Sequence, residues 1–330
     1  MTKRLDWIDT AKGIGIFLVV WGHFYASDAV KIVIYGFHMP LFFFLSGYLY
    51  KKTTIGFLPF LRKTSKRLLV PFFIFQVATL LVVNGIALIG SQHLYRTPAT
   101  LVTQFFFLDG EVGFNTPLWF LVVLFSVEIL FYLFTRYLKK GQWLVVAAVL
   151  VLAFLLSSQV NERFAFGLHI VPLSWLFYYA GFQFKERSVF RWQVCQRGYV
   201  IILGAIAYLY TVIYLNQGQI AGFRSNNLGN FFVFIIGALL GIVILCLLCQ
   251  KIGKSKLWGE FGRNSLFIFG THYFFLIFYA HLIKYTTGSL AQTSYPIWVT
   301  LSLTIIAFAC YSVAFQITRK LGVAHYFLIK

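Results

Sequence analysis

Ala11-Lys12-Gly13-Ile14-Gly15-Ile16-Phe17-Leu18-Val19-Val20-Trp21-Gly22-His23-Phe24-Tyr25-Ala26-Ser27-Asp28-Ala29 is the first long apolar stretch of the chain, and its reading sets the fold class. A helix needs about 20 such residues to cross ~30 Å of hydrocarbon, and this run is close to that length. Two of its residues resist such a setting. Lys12 and His23 stand eleven residues apart. Eleven steps of ~100° return to within about 20° of the start and separate the pair by roughly 16 Å along one helix face. A cation and an imidazole in one line inside a membrane helix are costly enough to be read as functional.

The rest of the chain repeats the pattern. Of its 330 residues 60% are hydrophobic, 20% aromatic and only 11% charged, with a mean hydropathy of +0.80, far outside the range of a soluble domain. Ten apolar segments are expected to span: 11–29, 32–50, 68–91, 116–135, 142–158, 168–184, 198–216, 228–250, 264–283 and 296–318. The expectation is an all-α, polytopic membrane bundle of about ten transmembrane helices.

The basic residues orient it. With a cytoplasmic N-terminus, that side receives Lys3, Arg4, Lys12, Lys51, Lys52, Arg62, Lys63, Lys66, Arg67, Arg136, Lys139, Lys140, Lys185, Arg187, Arg191, Arg197, Lys251, Lys254, Lys256, Arg263, Arg319, Lys320 and Lys330, which is 23 of the 28 cations. The other side keeps Lys31, Arg96, Arg163, Arg224 and Lys284. This is the positive-inside bias, with both termini in the cytoplasm. The net charge of +19 therefore reads as topology. Nucleic-acid binding, which needs basic residues gathered on one soluble face, is excluded.

Removal of a leader near Ala26 would discard both Lys12 and His23, so the first helix is expected to be retained. Cys195, Cys246, Cys249 and Cys310 lie in segments without matching ligand pairs, and Cys246-x-x-Cys249 sits in a fully apolar helix, so buried inert thiols are expected and no metal site. Gly237 and Gly241 in the same helix read as a close-packing motif. The longer loops are 51–67 on the cytoplasmic side and 92–115 outside, where Thr100–Leu108 has the composition of a short re-entrant or interfacial segment. The expectation is a single membrane domain over residues 1–330, with no extra soluble domain. Oligomeric state is not readable from so uniform a lipid-facing composition.

The polar inventory is small, with seven histidines and nine carboxylates. His23 lies ~18 Å into its helix from the cytoplasmic edge, His38 ~9 Å from the outer edge and His272 ~12 Å from the cytoplasm, depths that allow one shared cavity. The bland alternative is three separate buried histidines, each bonded to a neighbouring helix. His93, His169, His281 and His325 fall at ends or loops and are assigned no chemistry. Glu128 is the one carboxylate clearly inside a span and needs a partner, either a cavity cation or a residue that ties helices together.

Several blocks then carry a resemblance. Leu5-Asp6-Trp7-Ile8-Asp9-Thr10-Ala11-Lys12-Gly13 with the spacing to His23, Phe37-His38-Met39-Pro40-Leu41-Phe42-Phe43-Phe44-Leu45-Ser46-Gly47-Tyr48, Arg67-Leu68-Leu69-Val70-Pro71, Pro117-Leu118-Trp119-Phe120-Leu121 and Arg263-Asn264-Ser265-Leu266-Phe267-Ile268-Phe269-Gly270-Thr271-His272 occur in that order. Together they resemble the acyltransferase-3 family of membrane acyltransferases, particularly its fucose 4-O-acetylase-like branch. The resemblance implies transfer of an acyl group, usually acetyl, from cytoplasmic acetyl-CoA to a hydroxyl of a cell-envelope carbohydrate or lipid-linked sugar, in a bacterial inner membrane.

The residues suit such chemistry. Acyl-CoA carries phosphates at one end and its thioester at the tip of a long arm, so it needs cations at a membrane face and a base an arm's length away. Lys12, Arg67 and Arg263 are the cations, and His23 is the candidate general base, with His38 and His272 as further catalytic candidates. Asp9, three residues before Lys12, is placed to orient it. Candidate donors to the thioester oxyanion are Ser46, Asn264, Ser265 or a protonated His272. Trp119 stacks on a sugar or adenine face or simply packs the bundle, and Lys12 has its own bland reading as a snorkelling anchor. Two other classes stay open: a transporter or flippase of a sugar or lipid-linked oligosaccharide, with a His/Glu proton relay, and a scaffold subunit without turnover.

Overall fold

A computed structural model of the chain describes residues 5–89, 98–111, 113, 115–158, 163–288 and 292–322. Lys3, Arg4, His93, Arg96, His325 and Lys330, named above, lie outside the described residues. Backbone in hydrocarbon must satisfy its own hydrogen bonds, and the chain does so with helices: no strand forms among the described residues. In chain order the helices are α1 (Asp6–His23), α2 (Asp28–Tyr35), α3 (His38–Leu49), α4 (Phe57–Ile89), α5 (Pro98–Phe105), α6 (Trp119–Tyr137) and α7 (Gln142–Ser157). They continue with α8 (Val171–Glu186), the single turn α9 (Gln193–Gln196), α10 (Gly198–Tyr210), α11 (Phe231–Ile252), α12 (Lys256–Arg263), α13 (Ser265–Thr287) and α14 (Ile297–Lys320).

Eight helical stretches among the described residues are long and apolar enough to cross a membrane: Asp28–Leu49, Phe57–Gly85, Thr116–Tyr137, Ala165–Glu186, Gly198–Leu215, Phe231–Ile252, Ser265–Thr286 and Ile297–Lys320. The fold is an all-α polytopic membrane helix bundle. The other two expected segments are also helical. However, α1 carries Asp6, Asp9 and Lys12 within its 18 residues, and α7 has only 16.

Three boundaries differ from the sequence reading. The segment 32–50 is two helices, interrupted at Gly36 and Phe37. Pro40, third in α3, has no N–H for the Gly36 carbonyl and a ring that opposes continuation, so it is tolerated only as part of a new first turn. Helix α4 begins at Phe57, so much of the basic segment expected as a loop is helical, and Pro71 withholds a bond from the Arg67 carbonyl four residues back. In 198–216, the bond from Asn216 N–H to Thr211 O (2.8 Å) closes a π-turn over Thr211–Leu215 after α10.

The chain's contacts group into two compact units, one of residues 1–45, 184–221 and 228–330, the other of 46–183 and 222–227. In the first, α1 is crossed at backbone distance by α12. A Cβ on Gly13 would run into the Trp258 carbonyl, and one on Gly262 into that of Asp9, so glycine is what permits the crossing. Thr10 Oγ1 donates to Gly253 O (2.9 Å), and Trp21 Nε1 donates to Thr300 Oγ1 (3.1 Å), tying α1 to α14. Phe17 packs on Trp258 and Phe308. Gly241 receives the Phe37 ring and Gly237 the Thr211 methyl, which is the close packing expected of that pair. Asn230 caps α11 by accepting from the N–H groups of Phe232 and Val233.

In the second unit, Phe131 is surrounded by Tyr50, Trp175, Tyr178 and Phe182. Gly47 again allows backbone approach, to the Tyr178 carbonyl. Arg67 on α4 pairs with buried Glu128 on α6. Beyond those helices Glu111 takes both Arg163 and Arg224, and Arg224 O bonds His169 Nε2 (2.8 Å). The Arg224 guanidinium is held below its usual range by burial, partly opposed by Asp109. The four cysteines are free, Cys246 and Cys249 buried, Cys195 half-buried and Cys310 exposed.

Candidate active site

The first unit gathers His23, Tyr35, His38 and His272. His23 is the last residue of α1. There the chain turns: Phe24 N–H bonds back to the Val20 and Trp21 carbonyls, Tyr25 takes a left-handed conformation at φ +55°, and its carbonyl accepts from Tyr295 N–H (2.9 Å). The turn leaves the His23 ring half-buried, at the end of an unbroken helix that also carries Lys12.

Tyr35 closes α2 and lies between two imidazoles. Its ring centroid is 6.2 Å from that of His23 and 4.8 Å from that of His38. Its hydroxyl donates to Gly22 O (3.0 Å). Gly22 is required by that approach, since a Cβ there would stand 2.5 Å from the tyrosine ring. Directly after the break, His38 opens α3, and its Nδ1 lies 3.0 Å from Ile34 O. The ring thereby joins the Phe37 N–H (3.3 Å) on the Ile34 carbonyl at the helix break.

His272 lies in α13, with its ring centroid 5.4 Å from that of His23. Its Nδ1 is 2.8 Å from Phe269 O. Next to it, Thr271 Oγ1 and Tyr311 OH pair at 2.9 Å and fix the rotation of α13 against α14. A carbonyl only accepts, so Nδ1 carries the proton in both His38 and His272, and in the neutral ring Nε2 is left as the acceptor. The Nε2 of His272, wholly buried, has no hydrogen-bond partner among the described residues. Such an orphan is expected where a ligand, water or moving side chain completes the set.

The three histidines foreseen as neighbours are therefore brought together, and Tyr35 is the member that sequence reasoning missed. Its signal was present: it precedes His38 by three residues, one turn along a continuous helix, and Gly22 stands immediately before His23. Half-buried Lys12 lies on the α1 face next to Gly13, and Arg263 follows Gly262 at the same α1–α12 crossing, with Arg263 Nη1 3.3 Å from the Cβ position of Gly259. Asp9 contributes its backbone to that crossing. Asn264, buried between α12 and α13, donates to Glu260 O (3.1 Å); Ser265, next along, is half-buried.

The remaining candidates belong to the second unit. Arg67 and Glu128 pair with each other, so the span carboxylate finds the partner its burial demanded, and that partner joins two helices. Trp119 is buried and lies near-parallel to Phe223 at 6.1 Å. Ser46 is half-buried. No cluster of three or more histidine, cysteine or acidic residues able to hold a metal forms among the described residues.

The profile of an acyltransferase domain, family 3 of the acyltransferases, matches residues 5–315. The chain belongs to the acyltransferase-3 family. It is a multi-pass membrane acyltransferase, a class distinct from the transporter and scaffold readings that composition alone had left open. No curated protein and no solved structure matches it.

Proposed function

We propose that this acyltransferase moves an acetyl group from cytoplasmic acetyl-CoA to a hydroxyl of a cell-envelope carbohydrate or lipid-linked sugar, in a bacterial inner membrane and in the manner of the fucose 4-O-acetylase-like branch. His23 is the general base. The observation that carries the reading is the juxtaposition of half-buried His23 with the unpartnered Nε2 of His272. One imidazole is reachable by substrate, and a second imidazole with a fixed tautomer stands beside it.

The acceptor oxygen attacks the thioester carbonyl while His23 takes its proton. The new C–O bond forms as the carbonyl becomes an oxyanion. Collapse of that tetrahedral centre breaks the C–S bond, and the proton returns from His23 to the leaving thiolate, restoring the neutral base. Neutral His272 has its only N–H committed to Phe269 O, so among the oxyanion donors considered it serves only when protonated. In the neutral state its Nε2 accepts from the His23 ring N–H and so positions the base. Lys12, roughly 16 Å along α1 from His23, and Arg263 at the same crossing bind the phosphates of the donor, whereas Arg67 is committed to Glu128 within its own unit.

Acetyl transfer from radiolabelled acetyl-CoA into an envelope-glycan extract tests the reading. Label entering glycan with the wild type and lost with His23→Ala supports it. Failure of the wild type both to transfer label and to bind acetyl-CoA sinks it.

A further inference from the structure

Helix α2 brings a cation to His23 for which the acyl-transfer chemistry has so far had no task. Lys31 and Tyr35 are four residues apart on this helix and so are neighbours on one of its faces. The Tyr35 ring stands 6.2 Å from that of His23, and its hydroxyl holds Gly22 O. Val30 and Ile34 pack with Ala26 into an apolar cluster that also takes Leu18 and Trp21 of α1, which fixes the rotation of α2 against α1. Lys31 therefore lies one turn before Tyr35, toward the α1–α2 turn, and its ammonium is close enough for its charge to be felt by the His23 ring. All of these residues belong to the first unit.

The surroundings of Lys31 leave its charge poorly answered. Its side chain is only 20% exposed, and its one ion-pair contact among the described residues is Asp28 Oδ1 at 3.7 Å, on a carboxylate that is itself 74% exposed. That distance is too long for a hydrogen bond, and the ammonium makes none to the described residues. An ammonium carries three N–H donors and no acceptor, so what it lacks is an oxygen, and a charged oxygen before a neutral one. A lysine in a helical stretch apolar enough to span is costly unless it serves a ligand. The donor's phosphates do not meet the need, since they are assigned to Lys12 and Arg263, about 16 Å away along α1. With the N-terminus cytoplasmic, Lys31 stands on the outer side of His23, where the acceptor arrives. We propose that Lys31 binds a negative charge carried by the acceptor, a carboxylate or a phosphate on the sugar that presents its hydroxyl to His23. The assignment to the acceptor rests on the proposed function; the demand of the ammonium for an anionic oxygen does not. A lipid headgroup phosphate has the same chemistry and is the competing occupant.

The test is a saturation-transfer NMR titration of the purified full chain with methyl glucuronide, glucosyl phosphate and neutral methyl glucoside, using wild type, Lys31→Met, Lys31→Arg and Asp28→Asn, with acetyl-CoA binding measured on each. The expected result is that the wild type binds one of the anionic probes at least about tenfold more tightly than methyl glucoside. Lys31→Met abolishes that preference, Lys31→Arg keeps it, and acetyl-CoA binding is unchanged throughout. The preferred probe tells a carboxylate from a phosphate. If Lys31→Met fails to accumulate, Asp28→Asn at an exposed position reads the site independently, since loss of the competing carboxylate keeps or tightens anion binding. A wild type without the preference, a preference that survives Lys31→Met, or one that Asp28→Asn weakens overturns the assignment; the first leaves a lipid headgroup as the partner of Lys31. A Lys31-dependent preference in a protein that does not bind acetyl-CoA sustains the anion site while defeating the donor assignment.

Discussion

His23 and His272 divide the work of the site by what each nitrogen is free to do. The Nδ1 of His272 is held by a backbone carbonyl, so His272→Gln keeps hydrogen-bonding capacity while removing the imidazole acceptor. Because His272 acts through His23, the substitution is expected to lower kcat roughly tenfold or more, with KM for acetyl-CoA unchanged and the pH–rate profile displaced. A merely structural role would lower the yield of folded protein and leave the profile in place. At Gly22, a methyl group meets the Tyr35 ring at 2.5 Å. Gly22→Ala is therefore expected to reduce transfer without preventing membrane insertion, as read by initial rates beside expression level. The convergence of three histidines was readable because depth along a helix follows from counting residues. Tyr35 and the tautomer of His38 were not, since both depend on a helix break that alters direction without altering composition.

At the scale of elements, the crossings made by glycine carry the sharpest expectations. Gly13→Ala and Gly262→Ala both drive a Cβ into a backbone carbonyl that has no rotamer with which to yield. Each is expected to destabilise by about 1–3 kcal/mol, seen as a lower Tm in detergent. Gly85→Ala is the control: among the described residues nothing lies within 4 Å of its Cβ position, and helix propensity alone favours it by up to ~1 kcal/mol. The Arg67–Glu128 pair gives a double-mutant prediction. Arg67→Met leaves a buried carboxylate alone and is expected to lower Tm more than Arg67→Met with Glu128→Met, since the second change removes the stranded charge. If the single variant is the milder, the pair does not hold α4 to α6. The apolar runs predicted the existence of these elements and most of their ends, because hydropathy is a property of the run. They did not reveal the break before His38, the helical start at Phe57 or the separate short helix α12, because in uniformly apolar or basic sequence a change of direction is set by Pro40 or a glycine contact and leaves the average untouched.

For the whole molecule, the fold class was contained in composition, and the distribution of cations supplied an orientation that the helices alone do not. With the N-terminus cytoplasmic, exposed Lys140 lies inside and exposed Lys284 outside. In a background with Cys195, Cys246, Cys249 and Cys310 replaced, Lys284→Cys is expected to react with a membrane-impermeant maleimide on intact cells, and Lys140→Cys only after permeabilisation; the reverse pattern inverts the bundle and places Lys12 on the wrong side for a cytoplasmic donor. The central claim is that His23 is the base of an acetyl transfer from acetyl-CoA to a glycan. Its most direct measurement is transfer of labelled acetyl by the purified protein, wild type beside His23→Ala, with acetyl-CoA binding recorded on both. The account predicts a fall of about 10²–10⁴-fold in transfer with donor binding retained, whereas a His23→Ala enzyme that transfers at the wild-type rate would contradict it.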